Sequence, residues 1–215
     1  MDPVLELRGA VARVGQFPVL AGVDLSVARG ERVLVQGPNG AGKTSLLRTA
    51  AGLLAVTSGT ARVLGHDLTV DRRTVRRSVG YLAHATGLYD DLTAADNVRF
   101  WAEATRTPTP DADSAMRTVG LATRLWDVPV HRLSTGQRRR VSLASMIVRR
   151  PQLWLLDEPH AGLDAAGRDV IDQLILAATE AGATVLFASH DLDRAVSVSS
   201  RIVTIVGGTV VHDAA

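Results

Sequence analysis

Residues 32–51 read RVLVQGPNGAGKTSLLRTAA, and this stretch decides the fold. Arg32–Gln36 is a short apolar run expected to form a buried strand. A glycine-rich turn follows, and Ser45–Ala51 reads as a helix stopping at Gly52, a suitable C-cap. The turn, GPNGAGKT, fits G-x-x-x-x-G-K-[ST] in the strand–turn–helix context that this pattern requires. Its glycines let successive N–H groups turn toward phosphate oxygens, and the helix behind aims its positive end at the same anion. Gly37, Pro38, Asn39, Gly40, Ala41, Gly42, Lys43, Thr44 and Ser45 are therefore expected to hold nucleotide phosphates. Lys43 should reach the β- and γ-phosphates, and the Thr44 hydroxyl should ligate Mg²⁺. A glycine turn with an accidental GKT is the alternative, and both flanks argue against it.

Lys43 is also the only lysine among 24 Lys and Arg residues. Lysine is a compact point charge on a thin stem, whereas guanidinium is a broad planar fork. An arginine-biased chain that keeps lysine at one place keeps it where a point charge is needed.

Downstream, Asp157 and Glu158 close the apolar run Leu153-Trp154-Leu155-Leu156. Such a run suits a parallel strand covered on both faces, and ligands bind at the carboxyl ends of these strands. Asp157 is read as holding Mg²⁺, directly or through water, and Glu158 as polarising the water that attacks the γ-phosphate. Alone, the pair fits an acidic surface turn equally well; the phosphate loop upstream decides the matter.

Around these motifs the pattern is β/α with a helical interruption. Val4–Val27 has short apolar runs broken by glycines, which suggests antiparallel strands. Val79–Ala83 and Thr184–Ala188 read as further strands, and Asp169–Ala181 as an amphipathic helix. Arg201–Val206 and Thr209–Val211, joined by Gly207-Gly208, read as a closing hairpin. From 84 to 150 the chain turns helical and more polar, with a break at Thr107-Pro108-Thr109-Pro110. The expected fold is an α/β core with a mixed sheet, an antiparallel β subdomain and a helical insert at about 84–150, all within one domain over 1–215.

Composition narrows the classes further. Basic residues exceed the 22 acidic ones by only two, so no nucleic-acid partner is expected. The absence of cysteine excludes disulfides and thiolate metal sites. No run approaches the roughly 18 apolar residues of a membrane span. The opening Met1–Glu6 lacks a basic flank and an apolar h-region, so secretion is not expected and a cytoplasmic protein is the default.

Leu133-Ser134-Thr135-Gly136-Gln137 resembles the LSGGQ signature of the ABC ATPase family, with Thr135 at the first glycine. The resemblance covers nearly the whole chain and implies a P-loop NTPase of ABC type that binds and hydrolyses ATP with Mg²⁺. Ser134 is a good N-cap; its residues alone read as a plain capped helix, and the resemblance implies that the N-terminus of this helix is another anion site. The resemblance implies that Ser134, Gly136 and Gln137 address the γ-phosphate on a second copy, in a head-to-tail homodimer enclosing two nucleotides. Asp164, in Ala161-Gly162-Leu163-Asp164, matches the D-loop that couples the two sites. His190 matches the switch histidine that contacts the γ-phosphate and orients Glu158. Lys43, Glu158 and His190 are thus the expected catalytic residues, and Thr44 and Asp157 the metal ligands.

Two positions depart from that family. The Q-loop glutamine is replaced by His84, and imidazole suits hard Mg²⁺ less well than an amide oxygen. His84 is therefore expected to be a coupling contact, or to meet Mg²⁺ only through water. Val14 stands where the family has its adenine-stacking aromatic, with Phe17 as a nearby substitute, so adenine selectivity is expected to be weak. Leu82–Leu88 and Leu92–Val98 are similar to the haem exporter ATP-binding subunits of cytochrome c maturation, with Ala83 and Asp96 as differences. That similarity implies integral membrane partner subunits, peripheral attachment to the inner face of the membrane, and a role in haem export or handover. Direct haem binding is not expected: His66, His131 and His212 read as surface residues. Another small exporter of drugs, lipids or peptides, or a soluble ABC ATPase of iron–sulfur cluster assembly, would carry the same ATPase motifs. The Arg72-Arg73-x-x-Arg76-Arg77 cluster reads as a solvated basic edge rather than a lipid contact.

A single lysine permits a direct check. An amine-reactive reagent should modify Lys43 besides the α-amino group, and saturating ATP should protect it. Labelling of Lys43 that ATP leaves unchanged would contradict its placement against phosphate.

Overall fold

The helix behind the phosphate loop is enclosed between two β-sheets. The structure, a computed structural model, describes residues 2–214; Met1 and Ala215, included in the one-domain reading, lie outside the described residues. The first sheet is antiparallel: β1 (Leu5–Val14), β2 (Phe17–Val27), β4 (Val56–Val63) and β5 (His66–Asp67), in spatial order β2-β1-β4-β5. The second sheet runs β10-β9-β3-β8-β7-β6. Its strands are β3 (Arg32–Gln36), β6 (Val79–Leu82), β7 (Leu153–Asp157), β8 (Thr184–Ala188), β9 (Arg201–Val206) and β10 (Thr209–Ala214). All pair in parallel except β10, which returns antiparallel on β9 and makes the sheet mixed.

Alternation along the buried strands sorts side chains into two cores. Val33 and Val35 of β3, Leu153 and Leu155 of β7, and Leu186 of β8 face α1 (Lys43–Ala50) and the antiparallel sheet, where they join Leu46 and Leu47. Leu34, Trp154, Leu156, Val185 and Phe187 face the opposite side, toward α4 (Thr135–Ile147), α5 (Ala165–Glu180) and α6 (Leu192–Val198). Both faces of the central strands are dry, so their uninterrupted apolar sequence follows.

Between β6 and β7 the chain forms α2 (Ala94–Ala104), α3 (Thr109–Thr118) and α4, which pack on one another. Small residues at their contacts, including Ala94, Ala95, Ala102, Ala112, Ala115 and Ala144, allow close approach. Thr93 caps α2 by accepting from the Asp96 N–H at 3.1 Å. Asn97 is buried and satisfied: it accepts from Tyr89 N–H (2.8 Å) and donates to the carbonyls of Tyr89 (3.0 Å) and Thr93 (2.9 Å). The Leu92–Val98 motif is thus a device for pinning the Tyr89 turn to the start of α2. Among the described residues no helix is long and apolar enough to cross a membrane.

Several elements differ from expectation. The first helix begins at Lys43, two residues early, because the loop itself turns into it. The last large helix begins at Ala165, where Asp164 caps it by accepting from Gly167 N–H at 2.9 Å. β4 escaped notice because its exposed half, Thr57-Ser58-Gly59-Thr60, is polar. α6 escaped because its seven residues are too few to show a period.

The C-terminal hairpin is tied down by charge. Arg201 grips Asp213 with two hydrogen bonds (2.7 and 2.6 Å) and also reaches Glu31 (3.0 Å) and the Ser26 carbonyl (2.9 Å). Hydrogen bonds from Arg201 hold the Asp213 carboxyl below the usual carboxylate range. The unfolded chain therefore takes up this proton more readily. Its stabilisation is complete above the ordinary value of 3.8 and fades as pH falls through the lower native value. D213N should cost under about 1 kcal/mol at neutral pH and low salt, because the pair is partly exposed and screened. Urea melts should show that deficit shrinking as pH falls below 3.8; a deficit unchanged by pH would rule out the ion pair as its source.

Candidate functional site

The phosphate loop is shaped by what crowds it. Gly37 has φ 148°, and a Cβ there would lie 2.1 Å from the Ile205 carbonyl oxygen of β9. Gly40 has φ 77° but open space around it. α1 then starts at Gly42 without a side-chain cap, so first-turn N–H groups remain for an anion. Lys43 is buried, and its ammonium donates to the carbonyls of Gly37 (2.7 Å) and Pro38 (3.0 Å). The lysine thereby closes the loop on itself and keeps a third N–H donor.

A carboxylate meets this loop from the end of β7. The Thr44 hydroxyl donates to Asp157 Oδ1 at 3.2 Å, and the Asp157 side chain is buried. An all-oxygen pair of this kind suits the hard Mg²⁺ ion. Among the described residues there is no cluster of three His, Cys, Asp or Glu, so other ligands would have to come from phosphate and water. Tyr81 of β6 stands close by; its burial and the charge of Asp157 push the phenol up to about 12. It stays neutral throughout the physiological range.

Glu158 follows at φ 51°, a left-handed conformation that costs a non-glycine residue about 1–2 kcal/mol. Its carboxylate accepts from the His190 backbone N–H (3.0 Å), and His190 Nε2 lies 3.2 Å from the other oxygen. His190 follows β8, whose Ala188 carbonyl accepts from Glu158 N–H at 2.9 Å. Strand pairing thus sets the histidine beside the glutamate.

Asn39 to Ser45, His84, Asp157, Glu158 and His190 line one cavity of about 350 Å³, together with Val19. Gly37 and Pro38 line a neighbouring cavity of about 370 Å³ with Ser189 and His190, and serve the main one through their grip on Lys43. His84 is exposed at the cavity wall. Val14 and Phe17 pair at the tip of the β1–β2 hairpin, and both are exposed.

Ser134, Gly136, Gln137 and Asp164 lie elsewhere, in a separate cavity of about 590 Å³ with Arg124 and Arg140. Here Ser134 and Gln137 form a reciprocal capping box: Ser134 Oγ accepts from Gln137 N–H (3.3 Å), and Gln137 Oε1 from Ser134 N–H (2.9 Å). Thr135, the departure from the family pattern, packs its methyl against Gly162. Within one chain the signature turn and the phosphate loop do not share a cavity.

Two residues near the site went unnoticed in the sequence. His160 is buried with Nε2 2.9 Å from Asp172, which also pairs with Arg194. Arg139 is buried, donating to the carbonyls of Ala83, Asp157 (2.8 Å) and Glu158 (2.7 Å). A signal for the second existed: three consecutive arginines in the first turns of α4 oppose the helix dipole, which disfavours cations there.

A phosphate loop and an acidic strand end in one cavity, with a capped helix N-terminus lining another, form the arrangement of an ATP-binding cassette. The ABC transporter family model matches residues 20–161. The cytochrome c biogenesis ATP-binding export protein CcmA of Bordetella bronchiseptica is 41% identical over 189 residues, covering 87% of this chain and 83% of that protein. Its namesake in Bradyrhizobium diazoefficiens is 41% identical over 202 residues, covering 93% and 96%. Among solved structures, a dimeric post-hydrolysis ATP-binding cassette with ADP and phosphate superposes with TM-score 0.89 at 25% identity, covering 97% of each chain. An ATP-binding subunit of an ABC transporter gives 0.90 at 26%, covering 98% of this chain and 89% of the other. The chain belongs to the ABC transporter family, among its cytochrome c biogenesis ATP-binding export proteins.

Crowding at Gly37 predicts an asymmetry within the loop. G37A meets a backbone carbonyl that cannot withdraw and should cost about 3 kcal/mol or more. G40A has room and should cost about 1 kcal/mol, from its backbone alone. Urea unfolding of both variants measures the difference; equal losses would contradict the packing described.

Proposed function

We propose that this chain is the ATP-hydrolysing subunit of a transporter for cytochrome c maturation, driving haem export or handover through integral membrane subunits. The observation that carries the enzymatic part is one cavity shared by Lys43, Thr44, Asp157, Glu158 and His190. Family membership supports the biological part. Residues 1–215 make one cassette, with the helices of about 84–150 as its insert, peripheral on the cytoplasmic face of the membrane.

Lys43 and the first-turn N–H groups of α1 neutralise the β- and γ-phosphates. Thr44 and Asp157 would hold Mg²⁺, which would supply positive charge against the phosphates when bound. Glu158 accepts a proton from the attacking water, and His190 fixes the rotamer in which it does so. Ser134, Gly136 and Gln137 present the N-terminus of α4 to the γ-phosphate held by a second copy. Asp164 sits at the seam. Two such sites form when the copies meet head to tail, and the phosphates hold the dimer shut through charge-assisted hydrogen bonds. Loss of the γ-phosphate removes those bonds and biases the pair toward opening. The dimeric ADP- and phosphate-bound cassette with the same fold supports this reading.

E158Q keeps the shape of the site and loses water activation, so with saturating ATP and Mg²⁺ it should elute as a dimer. A monomeric E158Q under those conditions would defeat the composite-site reading. Affinity purification of the same variant from solubilised native membranes tests the partner. A haem-exporter membrane subunit should come with it, whereas a different permease would move the substrate assignment.

A further inference from the structure

Arg139 is the one guanidinium in the first turns of α4 that the fold has buried beside catalytic backbone. It is 4% exposed, and burial lowers its affinity for a proton, against the opposing charges of Asp157 and Glu158. Burying an arginine without a direct carboxylate partner is costly, and apolar residues fill such a place better. Its neighbours Arg138 and Arg140 bond carbonyls as well, but none beside Glu158: Leu133 and His131 for the first, Val119 at the end of α3 for the second. Arg139 instead spans three elements. One nitrogen reaches the Ala83 carbonyl, immediately before His84. The other donates to Asp157 and Glu158, at 2.8 and 2.7 Å.

Those two carbonyls flank the one strained residue of the site. Glu158 holds φ 51° only while its surroundings over-determine it. Strand pairing fixes its N–H on Ala188, and Arg139 fixes its carbonyl; together they clamp both ends of the residue. The same guanidinium joins this clamp to the Ala83–His84 backbone and to the helix whose N-terminus is the signature turn. A planar fork with five donors can hold three carbonyls in fixed directions, and an ammonium cannot.

We propose that Arg139 is a positioning residue for hydrolysis: it holds the backbone of Glu158 in its left-handed conformation and ties that geometry to the signature helix and the His84 loop. The inference rests on the ATPase reading above. It predicts that Arg139 acts on turnover and leaves phosphate binding alone, because its hydrogen bonds go to the carbonyls of Ala83, Asp157 and Glu158 and not to the loop of residues 37–45.

The test is steady-state ATP turnover of the full-length chain with Mg²⁺, alongside equilibrium ATP binding and thermal unfolding. R139M should lower kcat at least tenfold while the Kd for ATP stays within twofold. R139Q, whose amide still donates to part of the carbonyl set, should recover a portion of kcat and guards against a poorly folded R139M. A folded R139M with kcat within twofold of wild type would overturn the proposal. So would losses of kcat and ATP affinity in equal proportion, which a merely structural role produces. Wild-type chain that neither binds nor hydrolyses ATP would instead defeat the ATPase reading itself.

Discussion

The Lys43 ammonium donates to the carbonyls of Gly37 and Pro38 from a nearly dry position between the two sheets. That interaction needs a loop able to turn its carbonyls toward its own lysine and its N–H groups outward, which needs glycine where β9 crowds the chain. It also needs α1 held rigidly, and the two apolar cores provide this by packing Leu46 and Leu47 on every side. The antiparallel sheet covers one flank of α1 and the mixed sheet the other. Much of the architecture can be understood as support for one buried positive charge.

From that charge the rest of the site is placed by strand order. β7 lies next but one to β3, with β8 between, so Asp157 arrives at Thr44 and His190 at Glu158 without any long loop. The signature turn is positioned differently, by a capping box at the outer end of the three-helix group. The core strands thus set the residues of one cavity, and the helical group sets the signature turn in another.

How much of this was legible beforehand depended on whether the signal was local. The phosphate loop, the acidic strand end and the glycine hairpin are contiguous motifs in which spacing and chemistry coincide. The buried strands declared themselves because both their faces are covered. β4 did not, since half of it, residues 57–60, is exposed threonine, serine and glycine. Arg139 and His160 did not either. Each belongs to a contact between elements far apart in the chain, and a charged or titratable residue in a helix or loop looks the same whether it faces water or a carbonyl. The opposed dipole of α4 was a physical hint, and it concerned electrostatics rather than pattern. Asn97 shows the intermediate case: its motif was visible, while its work of tying the Tyr89 turn to α2 required coordinates.

The turn of the β9–β10 hairpin donates from Gly208 N–H to the Ala41 carbonyl of the phosphate loop, and Gly208 accepts in turn from Ala21. Ile205 of the same hairpin supplies the carbonyl that confines Gly37. The phosphate loop is therefore braced by residues that leave the ribosome well after the loop itself. Until β9 docks beside β3, no backbone stands behind Gly37. A nascent chain carries the phosphate-binding motif long before it carries the support that gives the motif its shape, so competence for nucleotide arrives together with completion of the sheet.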